Sequence, residues 1–174
     1  MGILLSTHIL AGTIALFCAG MALLSEKGKK IHVTSGRIYF WSMAGIFLTA
    51  IPMSIISSNT FLFLIAIFSF YLAFAGMRFA KNRKGIATTI DWIAVSLMIL
   101  SGLGMWALAI TYFISDNSQY ITLLVFGFIA LALGYGDYRS HKNKTATGKE
   151  RIAKHLTNMT VSYTHLTLPT IYSV

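Results

Sequence analysis

Residues 88–114 read TTIDWIAVSLMILSGLGMWALAITYFI, an apolar run broken by one charge, Asp91. A helix needs about 20 mostly apolar residues to cross a hydrocarbon core, and this run is long enough. Its two edges differ. Lys81, Arg83 and Lys84 precede it, whereas Ser115-Asp116-Asn117-Ser118 follows with no positive charge. Such a segment predicts a transmembrane helix running from a basic side to a neutral one.

The same grammar repeats along the chain. Apolar runs lie near residues 3–24, 36–57, 60–79, 88–114 and 119–137, giving five expected full spans. Composition agrees, since 56% hydrophobic and 11% charged residues depart from the roughly 45–50% and 25% of a soluble domain. The expected fold class is an all-α integral membrane protein, a helix bundle in a lipid bilayer. The net charge of +9 does not point to nucleic acid, because the charges sit between apolar runs and not on one face of a soluble scaffold.

All 14 Lys and Arg fall in or beside alternate connections. Lys27, Lys29, Lys30 and Arg37 follow the first run, Arg78, Lys81, Arg83 and Lys84 the third, and Arg139 to Lys154 the fifth. Positive residues in short loops stay cytoplasmic, so the N-terminus is expected outside and the three basic loops inside. Those clusters also suit anionic lipid. The first run lacks a basic leader and is expected to stay as a helix.

By this alternation a sixth span should begin near Ile152, but the polar, Thr-rich sequence with Pro169 that follows cannot present about 20 apolar residues. A truncated sixth span is therefore expected, helical at most near residues 152–163. Val161 to Thr170 can be encoded by GTC TCT TAT ACA CAT CTG ACG CTG CCG ACG, the reverse complement of a common transposase sequencing adapter. An eight-base index, Val and a stop would complete the frame through Ile171-Tyr172-Ser173-Val174. Residues 160–174 are accordingly expected to be a non-native tail, and residues 1–159 a single transmembrane domain.

Within residues 1–159 a set of polar positions recurs in order: His8-x-x-x-Gly12 with Gly20, the Lys27-Gly28 turn, His32-x-x-x-Gly36-Arg37-Ile38-Tyr39-Phe40, Asp91-Trp92, Gly134 with Asp137, and His155-x-x-x-Met159. In these positions the chain resembles a family of predicted prokaryotic multi-pass membrane proteins, catalogued as a domain of unknown function numbered 2306. The resemblance implies a helical bundle in the prokaryotic cytoplasmic membrane and no particular reaction. The family pattern continues past the last His and Met into a small-residue helix that this chain lacks.

Three histidines carry the candidate chemistry. His8 lies inside the first run, with Gly12, Ala15, Ala19 and Ala22 at i+4, i+7, i+11 and i+14, so it should face protein along a small-residue stripe. It is either a proton relay or ligand, as intramembrane ionisable groups often are, or a neutral interhelical hydrogen-bonding group. His32 and His155 each precede an outward-going helix by a few residues at similar depth. Two such imidazoles suit one haem b or a quinone; the structural alternative is a pair of solvated loop histidines. A two-haem arrangement would need a second histidine at the depth of His8, and the second to fifth runs contain none.

Asp91 follows Thr88 as T-x-x-D, a capping pattern at a helix start. Asp137 is expected to pair with Arg37 or Arg139. The functional alternative gathers His32, Arg37, Asp91, Asp137 and His155 around one polar cavity on the cytoplasmic side. Cys18 reads as a packing residue, Pro52 as a kink, and Gly102-x-Gly104 and Gly134-x-Gly136 as close-packing positions. There is no C-x-x-C, H-E-x-x-H, phosphate-binding glycine loop or nucleophile elbow, so soluble-enzyme chemistry and a protein-only metal centre are not expected. Two functions remain: a redox protein binding haem b or quinone at the His/Asp face, and a non-redox proton-coupled transporter or sensor using His8 and the polar cluster. Either can act as a homo-oligomer or beside another membrane subunit.

Overall fold

The computed structural model describes residues 2–171, with side chains through residue 166; the end of the expected tail, residues 172–174, lies outside the described residues. Six helices follow in order: α1 (Gly2–Leu24), α2 (Lys30–Ile56), α3 (Thr60–Lys81), α4 (Thr89–Ile114), α5 (Gln119–Asn143) and α6 (Gly148–Ile171). No strand occurs among the described residues. The first five helices are long and apolar enough to cross a membrane; α6 is not among them.

The helices outrun the apolar runs that announced them. α2 begins at Lys30 instead of near 36, α5 continues to Asn143, and α6 extends from Gly148 to Ile171 instead of stopping near 163. The reason is physical. An apolar run marks only part of such a helix, and in α2 and α5 a backbone with no Gly or Pro to stop it continues as helix through the polar residues, whereas α6 runs on through Pro169, which the sequence reading takes as a stop. Lys30 to Ser35 holds no such breaker. His32 is consequently a helical residue in the first turn of α2, and His155 lies two turns into α6. The expectation that both precede their helices is corrected.

Large apolar side chains point outward, with Phe17 72%, Trp41 70%, Leu48 69% and Phe128 64% exposed. An aqueous monomer does not tolerate such a surface, and lipid does. Inside, small residues let the helices approach. Ala15, Cys18, Ala19 and Ala73 pack with Tyr39 and Met43, while Phe68, Leu72, Met98, Met105 and Leu123 form the second core. A Cβ on Gly102 would lie 2.9 Å from Leu131 Cγ, so close packing is the role of that glycine in the α4/α5 contact.

α1 packs with α2 and α4 with α5, as two antiparallel hairpins. α3 lies between them, touching α2 and α4, and α6 lies on α3 with a small contact to α1. The Arg151 guanidinium donates to the carbonyls of Phe79 and Ala80, tying α6 to the α3 C-terminus, where unpaired carbonyls favour a cation. Both hairpins and α6 therefore meet α3 at the basic end of the bundle.

Candidate functional site

His32 and His155 are brought together at that basic end. Their ring centroids are 6.3 Å apart and the rings are nearly perpendicular, at 87°. Each ring donates its Nδ1–H to a backbone carbonyl: His32 to Ala22 at 2.9 Å and His155 to Gly76 at 2.8 Å. A carbonyl can only accept, so the neutral imidazoles are fixed as Nδ1–H tautomers and each Nε2 keeps its lone pair. Gly76 allows this approach of α6, because a Cβ there would lie 2.8 Å from Met159 Cγ.

A cavity of about 250 Å³ borders the pair, with Ala19, Gly36, Tyr39 and Met159 in its wall. A second, about 190 Å³, shares His32, Gly36, His155 and Met159 and adds Arg37 and Lys81. The donor set is specific. No group of three or more His, Cys, Asp or Glu is placed to hold a metal among the described residues, so a bare ion would find only two imidazoles here. Two imidazoles whose Nδ1–H groups are held by carbonyls would each be able to offer Nε2 to a metal that brings its other ligands in its own macrocycle.

The two carboxylates do not join this cavity. Asp91 is buried and bidentate with Arg78, at 2.6 Å and 2.7 Å, and accepts from the Thr88 backbone N–H at 2.8 Å. It caps α4, as its spacing from Thr88 predicts, and adds an ion pair to α3. Asp137 is 0% exposed and pairs with neither Arg37 nor Arg139. Its partners are Lys154 at 3.0 Å, Tyr71 at 2.8 Å and Asn158 at 3.3 Å. α3 separates the α1/α2 hairpin from α4/α5, so Arg37 stands on the wrong side of the bundle. For the same reason the expected five-residue cavity splits in two, His32, Arg37 and His155 on one side of α3 and Asp91 and Asp137 on the other.

His8 makes the interhelical hydrogen bond. Its Nδ1 hydrogen-bonds Thr49 Oγ1 at 2.9 Å, and that hydroxyl also lies 2.9 Å from the Gly45 and Ile46 carbonyls of its own helix. A cavity of about 310 Å³ beside it is lined by Met43, Phe47, Ser54, Ser69 and His165 among others. His165 thus supplies from α6 the second histidine that the second to fifth runs lack, and it is buried against Phe68 and Phe126.

Sequence reasoning missed four residues. Lys154 was read only as a topology charge, and Tyr71, Asn158 and His141 were not singled out. His141 is buried, stacked on Phe79 at 5.2 Å and edge-on to Trp92. The i, i+4 spacings Asp137-x-x-x-His141 and Lys154-x-x-x-Asn158 were the available signals, each placing two polar groups on one helix face. No family model, curated protein or solved structure matches the chain.

Proposed function

We propose that the protein is a multi-pass cytoplasmic-membrane redox protein that holds one haem b between His32 and His155. The observation that carries this reading is the pair itself: two helical imidazoles, 6.3 Å apart, whose Nδ1 atoms are both engaged by backbone carbonyls. When bound, the group would supply one-electron transfer. His32 and His155 would hold it by Nε2, the carbonyls of Ala22 and Gly76 would fix both ring orientations, and the flanking apolar cavities would exclude water. Arg37 and Lys81, on the wall of the smaller cavity, offer cations to its carboxylates.

Orientation with the basic loops cytoplasmic belongs to this proposal and rests on the one-sided charge pattern. So does the resemblance to the 2306 family. The adapter-derived tail is proposed as well, and on that reading the presence of His165 beside the His8 cavity carries no functional weight.

The test is an absorption spectrum of protein purified from membranes, with haem-replete expression. A Soret band with reducible α and β bands is expected, and His155→Ala should lose it while retaining expression. A colourless wild type that stays colourless after haem addition removes this reading. Quinone is the second reading, favoured by the mainly apolar wall of the larger cavity. It predicts instead a colourless protein that retains extractable quinone, and less of it in His155→Ala.

A further inference from the structure

α2 and α4 both pack on α3, and between them runs a groove of about 210 Å³. Phe70 and Phe74 of α3 form its floor with Phe47 of α2, which stacks on Phe70 at 4.7 Å. Ile93 and Leu97 of α4 form an exposed wall. Tyr71 also lines the groove, but its hydroxyl is committed to Asp137. The groove therefore offers hydrocarbon and aromatic surface alone.

Its basic end has a different chemistry. Lys81 follows Phe74 by seven residues and so shares its face of α3. On α2, Phe47 follows Phe40 by seven residues and Phe40 follows Arg37 by three, which carries the other edge of the groove up to Arg37. Arg37 and Lys81 both line one cavity of about 190 Å³, and neither joins an ion pair among the described residues. The five Asp and Glu of the chain are engaged elsewhere. Glu26 pairs with Lys29, Asp91 with Arg78 and Asp137 with Lys154, Glu150 accepts from Ser140 and Thr145, and Asp116 sits between α4 and α5 at the opposite end of the bundle. Two neighbouring cations are left for an anion from outside the chain.

The distance from those cations to the aromatic floor fits one kind of molecule. Arg37 and Phe47 are ten residues apart, about 15 Å along a helix, which is half of a hydrocarbon core about 30 Å thick. We propose that the groove holds one anionic phospholipid of the basic-side leaflet, with its phosphate between Arg37 and Lys81 and an acyl chain laid over Phe47, Phe70 and Phe74. Basic pockets between membrane helices suit such headgroups. The proposal rests on the bilayer placement above and not on the histidine pair. Arg37 follows His32 by five residues, about 140° round α2, and a guanidinium carries several N–H donors. It can meet a phosphate on the groove side and still serve the cavity beside His32.

Native mass spectrometry of the chain, purified from membranes and exchanged into nanodiscs of equal phosphatidylglycerol and phosphatidylcholine, tests this, because lipid and haem adducts differ in mass. One retained phospholipid per chain is expected, with phosphatidylglycerol favoured roughly tenfold. Arg37→Gln combined with Lys81→Gln should abolish that preference. Arg83→Gln combined with Lys84→Gln removes the same charge from the same end and should keep it. Ile93→Trp fills the groove and should lower retention of both lipids. Equal retention of the two lipids by the wild type, no retained lipid, an inorganic phosphate adduct in its place, equal loss in both charge pairs, or unchanged retention in Ile93→Trp overturns the proposal. A chain that enters neither these nanodiscs nor ones of phosphatidylcholine alone overturns the bilayer placement with it, whereas a chain that enters both without preference overturns the lipid site alone.

Discussion

The hydrogen bond from His8 to Thr49 makes a definite demand on any replacement. Glutamine can still donate to Thr49 Oγ1, and interhelical hydrogen bonds in membranes average only about 0.6 kcal/mol. His8→Gln should therefore assemble like the wild type in a detergent-denaturation titration; loss of a spectral or pH-dependent signal with assembly intact would show that His8 does more than pack. Arg78 is a different case, because its removal strands the buried Asp91 carboxylate. Arg78→Ala should destabilise the bundle by about 3 kcal/mol in the same titration, and adding Asp91→Asn should recover part of the loss. Of these pairings the sequence disclosed only the Thr88/Asp91 cap, whose partners are three residues apart. Arg78 reaches Asp91 across a turn, and Lys154 reaches Asp137 between helices, so neither partner lies at a spacing that periodicity exposes.

Among the helices, α6 is the one whose placement decides the histidine pair. It is held to α3 by Arg151 at the α3 C-terminus, by His155 on the Gly76 carbonyl and by Met159 against Gly76. Gly76→Leu should push α6 off α3 and remove any His155-dependent absorption. Protease sensitivity at Lys154 should rise, with the loops of α1–α5 unaffected; unchanged absorption and digestion would show that the Gly76 contact is dispensable. Deleting residues 160–174 makes the opposite demand, since all three anchors precede Thr160, and the pair should survive it spectroscopically. The existence of α1–α5 was legible from their apolar runs. The true start of α2 and the length of α6 were not, because hydropathy reports contact with lipid and says nothing of where hydrogen bonding along the backbone stops. That difference moved His32 from an expected loop into a helix, which is what makes the pair a credible ligand set.

For the molecule as a whole, the testable feature is its polarity. Reporters fused after Lys84 or Lys144 should read as cytoplasmic, and reporters near Asn59 or Asn117 as external. Relocation of either basic loop would reverse the assigned sides. The bundle itself could be read in the sequence, as alternating apolar runs and loop charges. The division of its polar residues into two centres could not, because it follows from α3 standing between the hairpins, and hairpin arrangement leaves no mark on hydropathy.

The position of α3 also bears on how the protein is made. α3 is synthesised third, yet the face that receives α6 stays uncovered until Gly148 and the residues after it have been made, since chains emerge N-terminus first. His32 can bond Ala22 as soon as the first hairpin forms, whereas His155 arrives only with the final helix. A nascent protein arrested before α6 carries neither the pair nor the Asp137–Lys154 contact. One helix, α6, thus completes both polar centres at once.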